Sequence, residues 1–128
     1  MDTLATKTNM ANWFEIPVKD LKRAIAFYEK VFDVKLATEE MGGMNMAMFP
    51  MDQNAFGAAG SLMQNESAVP SHAGTLLYFS TESIEETLRR INANGGKTLL
   101  PKTGIGQYGF IAHYEDTEGN RLALHSLK

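Results

Sequence analysis

The chain repeats itself, and that restricts its fold more than any other feature. A shift of 63 positions lays Phe14–Leu36 over Leu77–Leu99 in pattern, with Asp20 falling on Ser83. At 128 residues the chain is the size of one domain. The two copies are therefore read as halves of a single domain spanning 1–128, with module one at about 10–65 and module two at about 72–128.

In the first copy Phe14, Ile16 and Val18 alternate with Glu15 and Pro17, the period of a strand covered on one face. Trp13, Glu15 and Pro17 then share the other face. Asp20 is a natural N-cap, and Leu21, Ala24, Ile25, Tyr28 and Phe32 follow at helical spacing, which predicts a helix over about 21–32. The second copy predicts a strand at about 75–80. Ser83 then opens a capping box with Glu86, and a helix turns Ile84, Thr87, Leu88 and Ile91 inward. Asn94-Gly95-Gly96 supplies residues able to end that helix with positive φ. Further strands are expected at Val34–Thr38, Met44–Pro50 and about 58–64 in the first half, and at Thr98–Leu100, Gln107–Glu115 and Leu122–Ser126 in the second. Asp116–Asn120 reads as the hairpin loop between the last two strands. Each half is β-α-β-β-β, and the whole is α+β: two tandem βαβββ modules whose mixed sheet curls into a cup.

Bulk properties remove several function classes. A net charge of −3, with Lys and Arg scattered, leaves no footprint for nucleic acid or an anionic membrane. The absence of cysteine excludes disulfides, thiolate zinc sites and a cysteine nucleophile. No apolar run approaches the roughly 18 residues of a membrane helix, and the N-terminal MDTLATKTNMAN lacks the form of a leader, so the expected location is the cytoplasm.

Phe14–Leu21, Ala26-Phe27-Tyr28, Asn94–Lys97, Gly106–Phe110 and Asp116–Asn120, in this order and spacing, resemble glyoxalase-like proteins of the vicinal oxygen chelate superfamily, which includes the bleomycin-resistance proteins and the extradiol dioxygenases. The resemblance covers nearly the whole chain. It implies a cup-shaped sheet, usually a homodimer, and either metal-dependent isomerisation, epimerisation or ring cleavage or metal-free drug binding. Metal-using members carry a His, Gln or Glu where this chain has Trp13. The matching place in the second half is Leu76, the carboxylate expected after the last hairpin is replaced by Ala123, and the fourth position falls near Ser61 or Met63. The usual metal ligands are missing, so no metal site and no cofactor are expected unless ligands have moved.

Period-two logic nominates other residues for the cup. Glu15 and its repeat mate Tyr78 face it, as do Ala123 and His125 if Leu122 and Leu124 pack on a helix. His113 joins them if it sits opposite Ala123, and a slip of one residue would turn it outward. Glu15, His113 and His125 are the candidate catalytic residues, a carboxylate and two imidazoles able to move protons near neutral pH or to bind a displaced divalent metal. Trp13, Tyr78, Tyr108 and Phe110 are the candidate ligand-binding residues, and Gly104–Gly106 is read as a flap over the cup. His72 reads as a surface residue. Met41, Met44, Met46, Met48, Met51 and Met63 read as core or dimer-interface filler in preference to a ligand wall.

The function expected first is binding of a small organic molecule in the cup, without the usual metal and with an activity of lyase or isomerase type left open. The alternatives are a lyase, isomerase or dioxygenase with displaced metal ligands, and a drug-sequestering resistance protein. The expected partners are a small molecule and a second copy of the chain, with neither nucleic acid nor membrane.

Overall fold

A computed structural model describes residues 9–41 and 44–128; the first eight residues, Gly42 and Gly43, and the side chains of Met41 and Met44 lie outside the description. Most of the N-terminal stretch read above for a leader therefore lies outside it too. Module one runs β1 (Trp13–Pro17), α1 (Leu21–Phe32), β2 (Ala37–Met41), β3 (Met44–Met48) and β4 (Ala59–Gln64). Module two runs β5 (Tyr78–Ser80), α2 (Ile84–Ala93), β6 (Lys97–Gly104), a short 3₁₀ turn at Gly106–Tyr108, β7 (Phe110–Glu115) and β8 (Arg121–Ser126). The sheets have matching orders, β1-β4-β3-β2 and β5-β8-β7-β6. In each, the first strand lies parallel to the last and the remaining pairs are antiparallel.

The helices start where the caps predict. Asp20 accepts from the Arg23 amide at 3.1 Å and Ser83 from the Glu86 amide at 3.1 Å. Glu86 does not complete the capping box. Its carboxylate turns instead to Arg89 and Arg90, which hold it down to about 2. The first helix buries Phe27 and Val31 as well as Ala24 and Tyr28, a wider apolar face than the simple repeat implies, because Phe27 also packs toward Tyr114 of module two. After α1 the strand begins three residues later than the pattern suggests. Asp33 takes a left-handed turn (φ 54°), and the Leu36 amide donates to Glu29 at 2.9 Å, so the chain is still turning where a strand was expected. The edge strand β6 is longer than predicted, and its register with β7 shifts around Pro101, a residue that an edge tolerates.

Ile16, Ala47 and Leu62 from the first sheet, with Val18 just past β1, join Ala112, Tyr114, Leu122 and Leu124 from the second in one buried cluster with the helices. At the seam the outer strands β1 and β5 bring their aromatic rings together: the Phe79 centroid lies 5.5 Å from Phe14, 4.9 Å from Phe32 and 5.7 Å from Phe49. The β7–β8 hairpin fastens module two to module one. Glu118 accepts from the amides of Lys19 and Asp20, both at 2.9 Å, and from the Arg23 guanidinium at 2.8 Å. Burial alone would raise this carboxylate, but Arg23 and the Asp20 and Lys19 amides outweigh burial and hold it at about 2. Asn120 donates to the Pro17 carbonyl at 2.8 Å, and Tyr28 donates to Asp116 at 2.8 Å. Sequence pattern read this segment as an ordinary hairpin loop; it is a buried clasp. No helix among the described residues is long and apolar enough to cross a membrane.

Candidate functional site

Strand register divides each sheet into a helix-side face and a concave face. In module one Glu15 is paired with Ser61, and Ser61 with Met48, while Pro17 is paired with Met63, and Met63 with Met46. These residues lie on the face away from the helix, because their alternates Phe14, Ile16, Leu62 and Ala47 pack in the core. Met46, Met48 and Met63 therefore floor the cup rather than fill the helix-side core. Met51 lies in the loop after β3, 63% exposed, and the side chains of Met41 and Met44 are outside the described residues.

In module two Tyr78 is paired with Ala123, and Ala123 with His113; Ser80 is paired with His125. The alternates Leu122, Leu124 and Tyr114 are buried on the helix side. The register thus brings Tyr78, His113 and His125 to the concave face, with His113 opposite Ala123. Phe110 is not with them. It is paired with Ser126 on the helix-side face, packs against the core and carries the Lys102 ammonium 4.4 Å from its ring centre. Tyr108 lies on the 3₁₀ turn, 66% exposed, and its carbonyl accepts a hydrogen bond from His125 Nε2 at 2.6 Å. That bond ties the turn that follows Gly104–Gly106 to the last strand. His72 sits on the surface beside Glu115, at 3.0 Å.

Arg121 has the most effect on the chemistry of this face, and the sequence reading passed it over. It stands on β8 in the same alternation as Ala123 and His125, so the period-two rule already placed it on the concave side. Its Nε and Nη2 both donate to His113 Nδ1, at 3.1 and 2.7 Å. A guanidinium has no lone pair to offer, so Nδ1 is the acceptor and the neutral ring carries its proton on Nε2. Burial and the neighbouring Arg121 charge both push the imidazole below its ordinary value. His113 therefore faces the cup as a neutral donor, without the free lone pair that a base or a metal ligand requires.

A cavity of about 240 Å³ opens at the seam, walled by β1, the 69–75 segment and the start of β8. Phe14, Pro17, Leu77 and Leu122 supply apolar surface, and Glu15 and Arg121 supply opposite charges. The metal positions that the resemblance implies do not suit a cation. Trp13, Leu76 and Ala123 have no donor atom for one, and Ser61 contributes one fully buried neutral hydroxyl. Among the described residues no three His, Cys, Asp or Glu side chains are grouped to hold a metal, so Glu15, His113 and His125 do not assemble as a displaced set.

Comparison with known proteins agrees with this architecture. A family model described as Glyoxalase/Bleomycin resistance protein/Dioxygenase superfamily matches residues 11–124. A glyoxylase-like domain-containing protein of Didymella fabae is 27% identical over 116 residues, covering 86% of this chain and 88% of that protein. Among solved structures, glyoxalase I from Zea mays superposes with a TM-score of 0.67 at 20% identity, covering 90% of this chain; the chain spans only 45% of the maize chain. The genomically encoded fosfomycin resistance protein FosX of Listeria monocytogenes gives a TM-score of 0.68 at 20% identity, covering 92% of this chain and 90% of that one. At such identities these structural matches show likeness of fold alone. The match of the family model across nearly the whole chain, joined to paired βαβββ modules around a concave face, makes this chain a member of the glyoxalase/bleomycin resistance protein/dioxygenase superfamily.

Proposed function

We propose that this superfamily member binds a small organic molecule in its cup, and that it does so without the metal ion that the family resemblance implies. The observation that carries this reading is the cavity of about 240 Å³ at the seam, where the concave face meets the 69–75 segment; its wall is largely apolar, and Glu15 and Arg121 of the concave face line it. Small-molecule sites have this character: a concave apolar surface with a few polar groups that fix orientation. The donor set supports the metal-free part, since three of the four implied ligand positions hold Trp13, Leu76 and Ala123. Trp13 and Tyr78, at 37% and 44% exposure, flank Glu15 and His113 and offer flat faces for an unsaturated ligand.

Trp13 is the only tryptophan in the chain and stands on the concave face, so its fluorescence reports directly on the cup. Titration with a panel of small aromatic acids, alcohols, amides and amines is expected to yield saturable quenching by some members. Glu15→Ala is expected to change which members bind. Elemental analysis of protein purified without chelator is expected to find no stoichiometric Zn, Fe, Mn or Ni. Stoichiometric metal that Glu15→Ala or His125→Ala abolishes would overturn the metal-free reading. A panel that leaves Trp13 unchanged would overturn binding in the cup.

A further inference from the structure

Among the described residues, two buried polar atoms on the concave face have no hydrogen-bond partner: Ser61 Oγ in module one and His113 Nε2 in module two. Leaving a buried donor unpaired costs about 1–3 kcal/mol, so an orphan on the concave face asks for an explanation. At His113 the orphan has a fixed sense. Because Arg121 donates twice to Nδ1, Nε2 bears the hydrogen and can only give it away. The missing partner must therefore be an acceptor. Arg121 also lines the seam cavity, so the acceptor arrives beside a permanent positive charge.

We propose that the cup recognises a small organic carboxylate, one oxygen of which accepts the Nε2 hydrogen of His113 while the Arg121 guanidinium balances its charge. This rests on the reading of the cup as a small-molecule site and names the class of molecule. A carboxylate meets both demands at once. An alcohol or amide oxygen would satisfy the hydrogen bond but leave the charge unused, and an ammonium would oppose both. Tyr78 governs access. Its ring is near-perpendicular to the imidazole, centroids 6.1 Å apart, and at 44% exposure it is free to move outward from His113. Glu15, which lines the seam cavity together with Arg121, repels a second carboxylate and selects a ligand whose far end is neutral or donates hydrogen bonds. The acid is thus held by one end in module two, with its other end facing module one.

The test has two parts. Long-range ¹⁵N–¹H NMR of the imidazoles is expected to show His113 of the free protein as the Nε2–H tautomer; an Nδ1–H tautomer overturns the proposal before any ligand is added. Trp13 quenching by benzoate is then compared with quenching by benzyl alcohol, benzamide and benzylamine, which keep the ring and change the head group. Benzoate is expected to bind most tightly and to move the His113 Nε2–H signal. His113→Phe, which keeps a flat ring, is expected to weaken benzoate by about 10–100-fold and benzyl alcohol much less, the ordinary effect of losing a hydrogen bond to a charged group. Arg121→Gln checks the same contact with His113 left in place, and is expected to release the tautomer and weaken benzoate. Benzoate binding no better than benzyl alcohol, or unaffected by both substitutions, overturns the carboxylate assignment and leaves the cup as a binding site. Failure of all four probes to perturb Trp13 overturns the site and the assignment together.

Discussion

Which ring nitrogen of His113 carries the proton is decided by a neighbour eight residues along the chain, and that choice has a measurable consequence for stability. Burial and the Arg121 charge lower the imidazole below the ordinary value of 6.5, which the unfolded chain keeps. Between the two values the unfolded chain binds more protons than the folded one. Stability therefore rises with pH across that window, is fully present above about pH 6.5 and is lost as the pH falls. Equilibrium urea unfolding is expected to show a lower midpoint at pH 5.5 than at pH 7.5, and His113→Phe is expected to flatten the difference. A full slope retained in the variant would place the depressed group elsewhere. Much of what lies on the concave face was legible in advance. Alternation put Glu15 and Tyr78 on the concave face, with His125 there if Leu122 and Leu124 packed on a helix and His113 there if it paired opposite Ala123, and the register meets both conditions. The same rule, carried two residues earlier along β8, would have found Arg121. Phe110 went the other way by the same rule: it stands on β7 three residues before His113, in alternation with Ala112 and Tyr114, and so faces the helix side.

At the scale of elements, the β7–β8 hairpin shows how a loop of five residues can hold two modules together. Glu118 joins the first turn of α1 from 98 positions away, adding its carboxylate to the cap that Asp20 already provides. Removing it leaves the Lys19 and Asp20 amides without their partner. Glu118→Ala is expected to cost about 1–3 kcal/mol in urea unfolding, with the slope against denaturant unchanged. Because the folded carboxyl lies near 2 and the unfolded one near 4.5, this contribution is complete above about pH 4.5 and fades as the pH falls toward 2. An Ala variant as stable as the parent at pH 7 would show the clasp to be idle. None of this docking could be read from the sequence, since local pattern records period, caps and turn residues but not which distant backbone a side chain will meet. For the same reason the helices, whose caps are local, were legible, while β2 was misplaced by Asp33 and its left-handed turn.

For the whole molecule, the pair of modules behaves as one body because of the seam. Phe79 of module two packs its ring against those of Phe14, Tyr28, Phe32 and Phe49, all of module one. Phe79→Ala is expected to cost about 3 kcal/mol. Unfolding followed at Trp13, which reports on the other module, is expected to shift by the full amount. A Trp13 transition that stays in place would mean that the halves unfold separately. The clasp itself is one-sided. The corresponding loop of module one, residues 50–58, is exposed throughout with Phe56 projecting fully, and the hydrogen bonds found there stay within the loop. A duplicated unit that needs only one of its two loops for assembly has a spare. Residues 50–58 can lengthen, shorten or change character at little cost to folding, whereas 116–120 cannot, so diversification of what this scaffold does is free to run through one half while the other keeps it assembled.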